Sequence, residues 1–182
     1  MKIEFERFFE MPSIDTFEMP KLRSWVLKQC SGKILNLFGG KTKIDKYYPD
    51  KIISNDINPE IEADFHYDAT EIGKYFPQES FDSVIFDPPY TMYQAVHSYN
   101  GNMVQDVTAC RNSLAPLIKP GGIIVSLGYN STGMGKSRGF KKIKLLLVNS
   151  GGSHNDIILL VERRVQSKLS INSISKRSGE CG

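Results

Sequence analysis

Four short apolar runs, each stopping at a glycine pair or an acid, constrain this 182-residue chain more than anything else in it. Lys33-Ile34-Leu35-Asn36-Leu37-Phe38 runs into Gly39-Gly40, and Lys51-Ile52-Ile53-Ser54-Asn55 into Asp56. Ala63-Asp64-Phe65-His66-Tyr67 reaches Asp68, and Phe81-Asp82-Ser83-Val84-Ile85-Phe86 reaches Asp87. Runs of this length read as strands, and mostly apolar ones as strands buried on both faces of a parallel sheet. The chain is therefore read as α/β, and at this length as one domain with a full core. In open parallel sheets ligands bind beyond the carboxyl ends of the strands. Phe38, Gly40, Asp56, Asp68 and Asp87 are thus expected along a single edge.

The sharpest of these strand ends is Asp87-Pro88-Pro89-Tyr90. Two consecutive prolines remove backbone donors and fix φ, so the turn is stiff. It offers a rigid pair of acceptors, the Asp87 carboxylate and the Pro88 carbonyl, beside the flat ring of Tyr90. That arrangement suits a planar ring carrying an amino group, with two acceptors for two amino hydrogens and an aromatic face for stacking. At the other strand ends, Gly39 and Gly40 allow close approach of backbone to a ligand. Asp56, 16 residues beyond Gly40, stands where a carboxylate at the end of a second strand accepts hydrogen bonds from ribose hydroxyls. Ile57 would then pack on an adenine. Asp68, followed by Ala69 and Thr70, reads as a helix N-cap, a role that leaves the neighbouring backbone amide open to a ligand.

Taken together and in this order, the four strand ends resemble those of S-adenosylmethionine-dependent amino-methyltransferases, and Asp-Pro-Pro-Tyr resembles the catalytic motif of the adenine-specific DNA methyltransferases. The resemblance covers about residues 15–162. It implies a Rossmann-like methyltransferase fold: a mainly parallel seven-stranded sheet, a C-terminal antiparallel hairpin and helices on both faces. It implies S-adenosylmethionine as cofactor, methyl transfer to the N6 amine of adenine, and Asp87, Pro88, Pro89 and Tyr90 as the catalytic turn. Cofactor contacts carried over by position are Thr16 and Phe17 ahead of the first strand, then Asn36, Leu37, Phe38, Gly39 and Gly40. Asp56 and Ile57 follow, then Asp68 and Ala69, with Asp87 itself. The first strand departs from the family pattern: Asn36 replaces the usual acid and Leu37 the usual proline. The Asn36 carbonyl can still accept a hydrogen bond from the cofactor's amino group. A guanine- or adenine-modifying RNA methyltransferase is the alternative, and an inactive nucleic-acid-binding subunit of the same fold the reading from another class.

Charge agrees with a polyanionic partner. Residues 1–110 hold 11 Lys and Arg against 17 Asp and Glu, whereas residues 111–182 hold 12 against 3. Phosphate neutralisation by such cations drives nucleic-acid binding. Within the basic half, Gly128 to Phe140 is read as a loop at the catalytic edge that contacts phosphates through Lys136 and Arg138. Thr91 to Asn102 is read as a loop over the site, in which Tyr93 and Gln94, with His97 and Tyr99, meet a flipped base or its neighbours. Cys30, Cys110 and Cys181 and the 3 histidines are scattered and show no metal-ligand spacing.

Elsewhere the patterns are structural. Asp15 or Thr16 is expected to cap a helix with Pro20 in its first turn and Leu22, Trp25, Val26 and Cys30 on one face. A further helix is expected over Met103–Ile118, a turn at Lys119-Pro120-Gly121-Gly122 and a strand over Ile123–Leu127. Lys142–Val148 and Asp156–Val161 form the terminal hairpin. Phe5–Met11 is aromatic-rich and carries no clear assignment. Residues 1–164 make one methyltransferase domain and 165–182 a basic tail expected to be disordered. No separate target-recognition domain is expected, which leaves sequence choice to the loops, to a specificity subunit or to a homodimer. With no apolar run of membrane-spanning length and no signal-peptide layout, the expected setting is soluble and cytoplasmic.

Overall fold

The computed structural model describes residues 2–42, 44–48, 51–89, 106–152 and 154–165. Seven strands form one sheet: β1 (Glu4–Phe9), β2 (Ile34–Asn36), β3 (Ile52–Ser54), β4 (Phe81–Phe86), β5 (Ile118–Gly128), β6 (Phe140–Asn149) and β7 (Ile157–Arg164). Their order across the sheet is β1-β6-β7-β5-β4-β2-β3. Every pairing is parallel except those of β7 with β5 and β6. β2, β3, β4 and β5 therefore end together at the edge that carries Gly40, Asp56 and Asp87.

The two faces of the sheet carry separate cores. On one, helix α1 (Pro20–Gln29) buries Leu22, Trp25 and Val26 against Ile34, Ile85, Val125 and Leu159. On the other, helix α2 (Val107–Leu114) buries Cys110 and Leu114 against Leu35, Val84, Phe86 and Ile124. Successive strand residues alternate between the two clusters, as the two-residue period of a strand requires. The expected α/β sheet with helices on both faces is what the chain forms. Among the described residues no helix is long and apolar enough to cross a membrane.

Three details differ from expectation, each for a local reason. First, the seventh strand is β1, not the segment around Phe65. That segment makes only a bridge, Asn55 to Phe65. Around that bridge side chains join the two segments: the Asn55 amide takes the Tyr67 N–H (2.9 Å) and donates to the Tyr67 carbonyl (3.1 Å), while the Asp64 carboxylate accepts from the Ser54 N–H of β3 (2.7 Å). Side-chain bonds thus replace the ladder. Second, neither Asp15 nor Thr16 caps α1. Pro20 does open it, but the acceptor is Glu10, reaching from the end of β1 to the N–H groups of Lys21 (2.7 Å) and Leu22 (2.8 Å). A carboxylate at a helix N-terminus satisfies orphan donors and meets the positive end of the dipole. Third, Lys119–Gly122 is not a free turn but a bulge inside β5, where Phe81 to Ser83 of β4 spans Ile118 to Ile123. The expected helix over Met103–Ile118 ends as an α-helix at Leu114 and tightens into a 3-10 turn, Ala115–Leu117, which contains Pro116.

One buried acid holds the β5–β6 connection. Glu162 on β7 is fully buried and accepts the N–H groups of Met134 and Gly135, the latter at 3.1 Å. Gly133 lies against the same carboxylate with φ +61°, where a Cβ would collide. Glu162→Ala leaves the buried Met134 N–H and the half-buried Gly135 N–H without their acceptor and is expected to destabilise the fold by about 2–4 kcal/mol, read as a lower midpoint in urea. An unchanged midpoint would show that the connection does not depend on this acid.

Candidate active site at the strand ends

The β2–Gly39–Gly40 turn is built from below. Leu37 donates to the Ile85 carbonyl (3.1 Å) and Gly39 to that of Asn55 (2.8 Å). Asn55, which sequence reasoning passed over, is buried and donates to the Leu37 carbonyl (3.2 Å), so one side chain ties the end of β2 to the Tyr67 segment. Phe38 meets Phe86 edge to face at 5.3 Å on the α2 side. Gly40 adopts φ +62°, a left-handed conformation that favours glycine.

Asp56 is buried, and its two oxygens divide between the two neighbouring turns. One accepts the Gly40 N–H (2.8 Å) and the other the Asn58 N–H (2.9 Å). The spacing of 16 residues thus corresponds to a direct contact. Each oxygen keeps a second lone pair for a further donor. Ile57 beside it is 48% exposed, an apolar side chain presented at the edge. Asp68 is exposed and accepts from both the N–H and the hydroxyl of Thr70 (each 2.8 Å), the turn-forming role; Ala69 is buried in the core.

Asp87 follows β4 on the α1 face, since Ile85 packs into that core. As a residue it is partly exposed, but its carboxyl is crowded by protein, and loss of solvent pushes it up to about 6 from the ordinary 3.8. A hydrogen bond from Thr16 holds it down in part. Thr16 opens a 3-10 turn, Thr16–Glu18, that is firmly anchored. Phe17 is buried, its carbonyl accepts from Arg23 (2.7 Å), and the Arg23 guanidinium lies 4.0 Å from the centre of the Tyr47 ring. On the same face, paired with Ile85, Asn36 is buried and its Oδ1 has no hydrogen-bond partner among the described residues. A buried acceptor left unsatisfied costs free energy unless a ligand meets it. Pro88 is buried and Pro89 half-buried.

Tyr90, Tyr93 and Gln94 lie outside the described residues. Lys136 and Arg138 do not stand at this edge. The β5–β6 connection descends the sheet, with Met134 buried in the α2-side core, so that Phe140 starts β6 opposite Arg164 and Gly139 accepts from Val165 (2.8 Å). Arg138 is engaged there with Asn112 (2.7 Å) and the Met134 carbonyl (2.8 Å). Glycines and charges in the sequence show a loop but not where its ends lead. Among the described residues no group of three or more His, Cys, Asp or Glu could hold a metal ion.

No family model matches the chain, and no curated protein matches it. Solved structures do. Among them are TrmN from Thermus thermophilus (TM-score 0.58, 17% identity, 81% of this chain and 49% of that one) and the N-methyltransferase NodS from Bradyrhizobium japonicum WM9 (0.56, 12%, 80% and 96%). Another is the 1,6-didemethyltoxoflavin-N1-methyltransferase from Burkholderia thailandensis, solved with S-adenosylhomocysteine (0.54, 11%, 78% and 74%). The chain spans about half the length of the TrmN it matches. Its fold is that of the S-adenosylmethionine-dependent methyltransferases.

Proposed function

We propose that the chain is an S-adenosylmethionine-dependent methyltransferase acting on the N6 amine of adenine in DNA. The observation that carries the reading is the pairing, on one face of adjacent strand ends, of a desolvated carboxylate with an unsatisfied buried carbonyl, Asp87 and Asn36. The residues fit the cofactor. Asn36 Oδ1 offers an acceptor for its amino group, Asp56 acceptors for its ribose, and Gly39–Gly40 a close backbone approach. When bound there, the cofactor supplies a methyl group on a positively charged sulfur.

The exocyclic amine of adenine is a weak nucleophile because its lone pair is delocalised into the ring. Acceptance of its two hydrogens by the Asp87 carboxylate and the Pro88 carbonyl favours a tetrahedral nitrogen and stabilises the positive charge that develops on it. The proline turn fixes both acceptors in advance, and Tyr90 would align the ring by stacking. The proton lost from nitrogen passes to Asp87 or to water as the methyl arrives. A base in a duplex must first leave the stack, at a cost of a few kcal/mol.

Asp87 stabilises the positive charge developing on nitrogen only when ionised. Because its carboxyl is raised to about 6, transfer is expected to fall as pH drops through that value. Thr16 stabilises the charged form, so Thr16→Val moves the acid limb of the rate profile to higher pH. A profile unmoved by this substitution would remove Thr16 from the site.

The test of the function is transfer of labelled methyl from S-adenosylmethionine into unmethylated DNA and, separately, ribosomal RNA, followed by nucleoside mass spectrometry. N6-methyladenine in DNA is the expected product. A methylated base in RNA alone would replace the DNA reading, and an unlabelled pair of substrates with intact cofactor binding would replace catalysis by a binding role.

A further inference from the structure

The sheet edge opposite the strand ends carries cations that the proposed chemistry does not use. Lys141 on β6 and Arg163 on β7 are direct cross-strand partners, and both are exposed. Like charges so placed destabilise a strand pair. Among the described residues neither makes an ion pair. Arg163 also registers with Ile123 of β5, beside the bulge that carries Lys119. Lys119 in turn meets Asp82 of β4 (2.8 Å), and the same carboxylate accepts the N–H of Lys33 (2.9 Å), just before β2. Lys136 is exposed in the turn that joins Phe140. Lys33, Lys119, Lys141 and Arg163 thus stand along five adjacent strands, a row of roughly 20 Å at the usual strand spacing. Asp82 pairs with Lys119 and Glu79 with Arg164, and the buried Glu162 is taken up by the Met134 and Gly135 N–H groups.

We infer that this basic edge, centred on Lys141 and Arg163, binds the phosphodiester backbone of the nucleic-acid substrate at a place remote from the target base. The inference rests on the nucleic-acid reading above. It adds that the substrate is held at two ends of the molecule. β7 alone runs from Ile158, beside Gly128 at the strand-end edge, to Arg164 at the basic edge, roughly 20 Å. A backbone held there lies several nucleotides from a base at Asp87, so the substrate must extend or fold around the sheet. A counter-anion of this kind also answers the unpaired like charges of β6 and β7.

The test is the full chain carrying Lys141→Glu and Arg163→Glu, with Lys136→Glu as a second variant in a turn that buries none of its own residues. Fluorescence anisotropy measures binding of a labelled duplex DNA and of a folded ribosomal RNA fragment across a salt series, without cofactor. The double variant is expected to bind about tenfold more weakly or worse, with the slope of log K against log salt reduced by about 2 for a duplex. Lys136→Glu reduces it by about 1, and binding of S-adenosylhomocysteine is unchanged in both. Loss confined to DNA or to RNA identifies the polymer. Equal affinity and slope in parent and variants, or no binding of either polymer by the parent, would overturn the inference. Weakened binding by the variants of a parent that transfers no methyl group would sustain it while removing the catalytic reading.

Discussion

Asp87→Ala is expected to abolish methyl transfer, by a factor of about 10³ or more, while the chain still binds S-adenosylhomocysteine and melts no lower than the parent. The three outcomes follow from one environment. The carboxyl is raised to about 6 because protein has displaced its water. Its charge is therefore badly solvated in the free enzyme and is best satisfied when the target amine donates to it and becomes positive. Interactions stronger in the transition state than in the ground state are the ones that accelerate the reaction, and removal of a single preorganised electrostatic group of this sort costs about 10²–10³. In the proposed mechanism the group is also the main acceptor for the reacting nitrogen. The ribose and amino contacts proposed above fall to Asp56 and Asn36, so cofactor binding is expected to survive.

The melting expectation has a definite sign. A carboxyl that titrates higher in the folded state than its ordinary 3.8 binds a proton more tightly when folded. Stability is then lost as pH rises through the window from about 4 to about 6, and by neutral pH the ionised group costs up to about 3 kcal/mol. Alanine relieves that cost and gives up the Thr16 hydrogen bond. Melting followed at pH 5 and pH 7.5 reads the difference: the parent loses stability between them relative to the variant. A variant that transfers methyl at the parent's rate would falsify the assignment of Asp87. A variant that is inactive but much less stable would make Asp87 a structural acid.

Much of this was legible because strands buried on both faces leave an apolar signature, and the residue that ends each one is a carboxylate or a glycine. Where an inward-facing position is polar the signal inverts. β1 is the instructive case: it turns Glu4, Glu6 and Phe8 toward α1 and leaves Phe5 and Phe9 exposed. Glu6 is tolerated there because it accepts from the Trp25 indole (2.8 Å) and pairs with Lys144 (2.9 Å), both far away in sequence. Glu10 and Asn55 were missed for the same reason, since each satisfies backbone groups of another element. Thr16 was placed near the site by resemblance, but its contact to Asp87 depends on how α1 docks. Lys136 and Arg138 were assigned by composition to the catalytic edge, and the descent of the β5–β6 connection carries them to the other.

Asp56→Ala carries the second large effect, this time on cofactor binding. Its carboxylate holds the Gly40 and Asn58 N–H groups at 2.8 and 2.9 Å, and the proposed ribose hydroxyls would take its remaining lone pairs. Loss of two hydrogen bonds to a charged acceptor, each worth about 1.5–3 kcal/mol, is expected to weaken S-adenosylhomocysteine by about 100-fold or more in calorimetry. The same change frees the Gly40 turn, so a weaker affinity alone does not locate the ribose. A cycle with the 2′-deoxy analogue does. If Asp56 contacts the ribose, the analogue binds the parent markedly less well than S-adenosylhomocysteine does, whereas the alanine variant hardly distinguishes the two. The coupling is then of order 1 kcal/mol or more. If Asp56 only shapes the turn, the hydroxyl contributes equally to both proteins and the losses add. Asp56→Asn separates the two roles further, since one carbonyl oxygen can keep the Gly40 N–H while the amide offers the ribose a donor in place of an acceptor. Its amide NH2 then faces the Asn58 N–H, which loses its acceptor, so the variant should melt below the parent but no lower than the alanine variant and still bind the cofactor poorly.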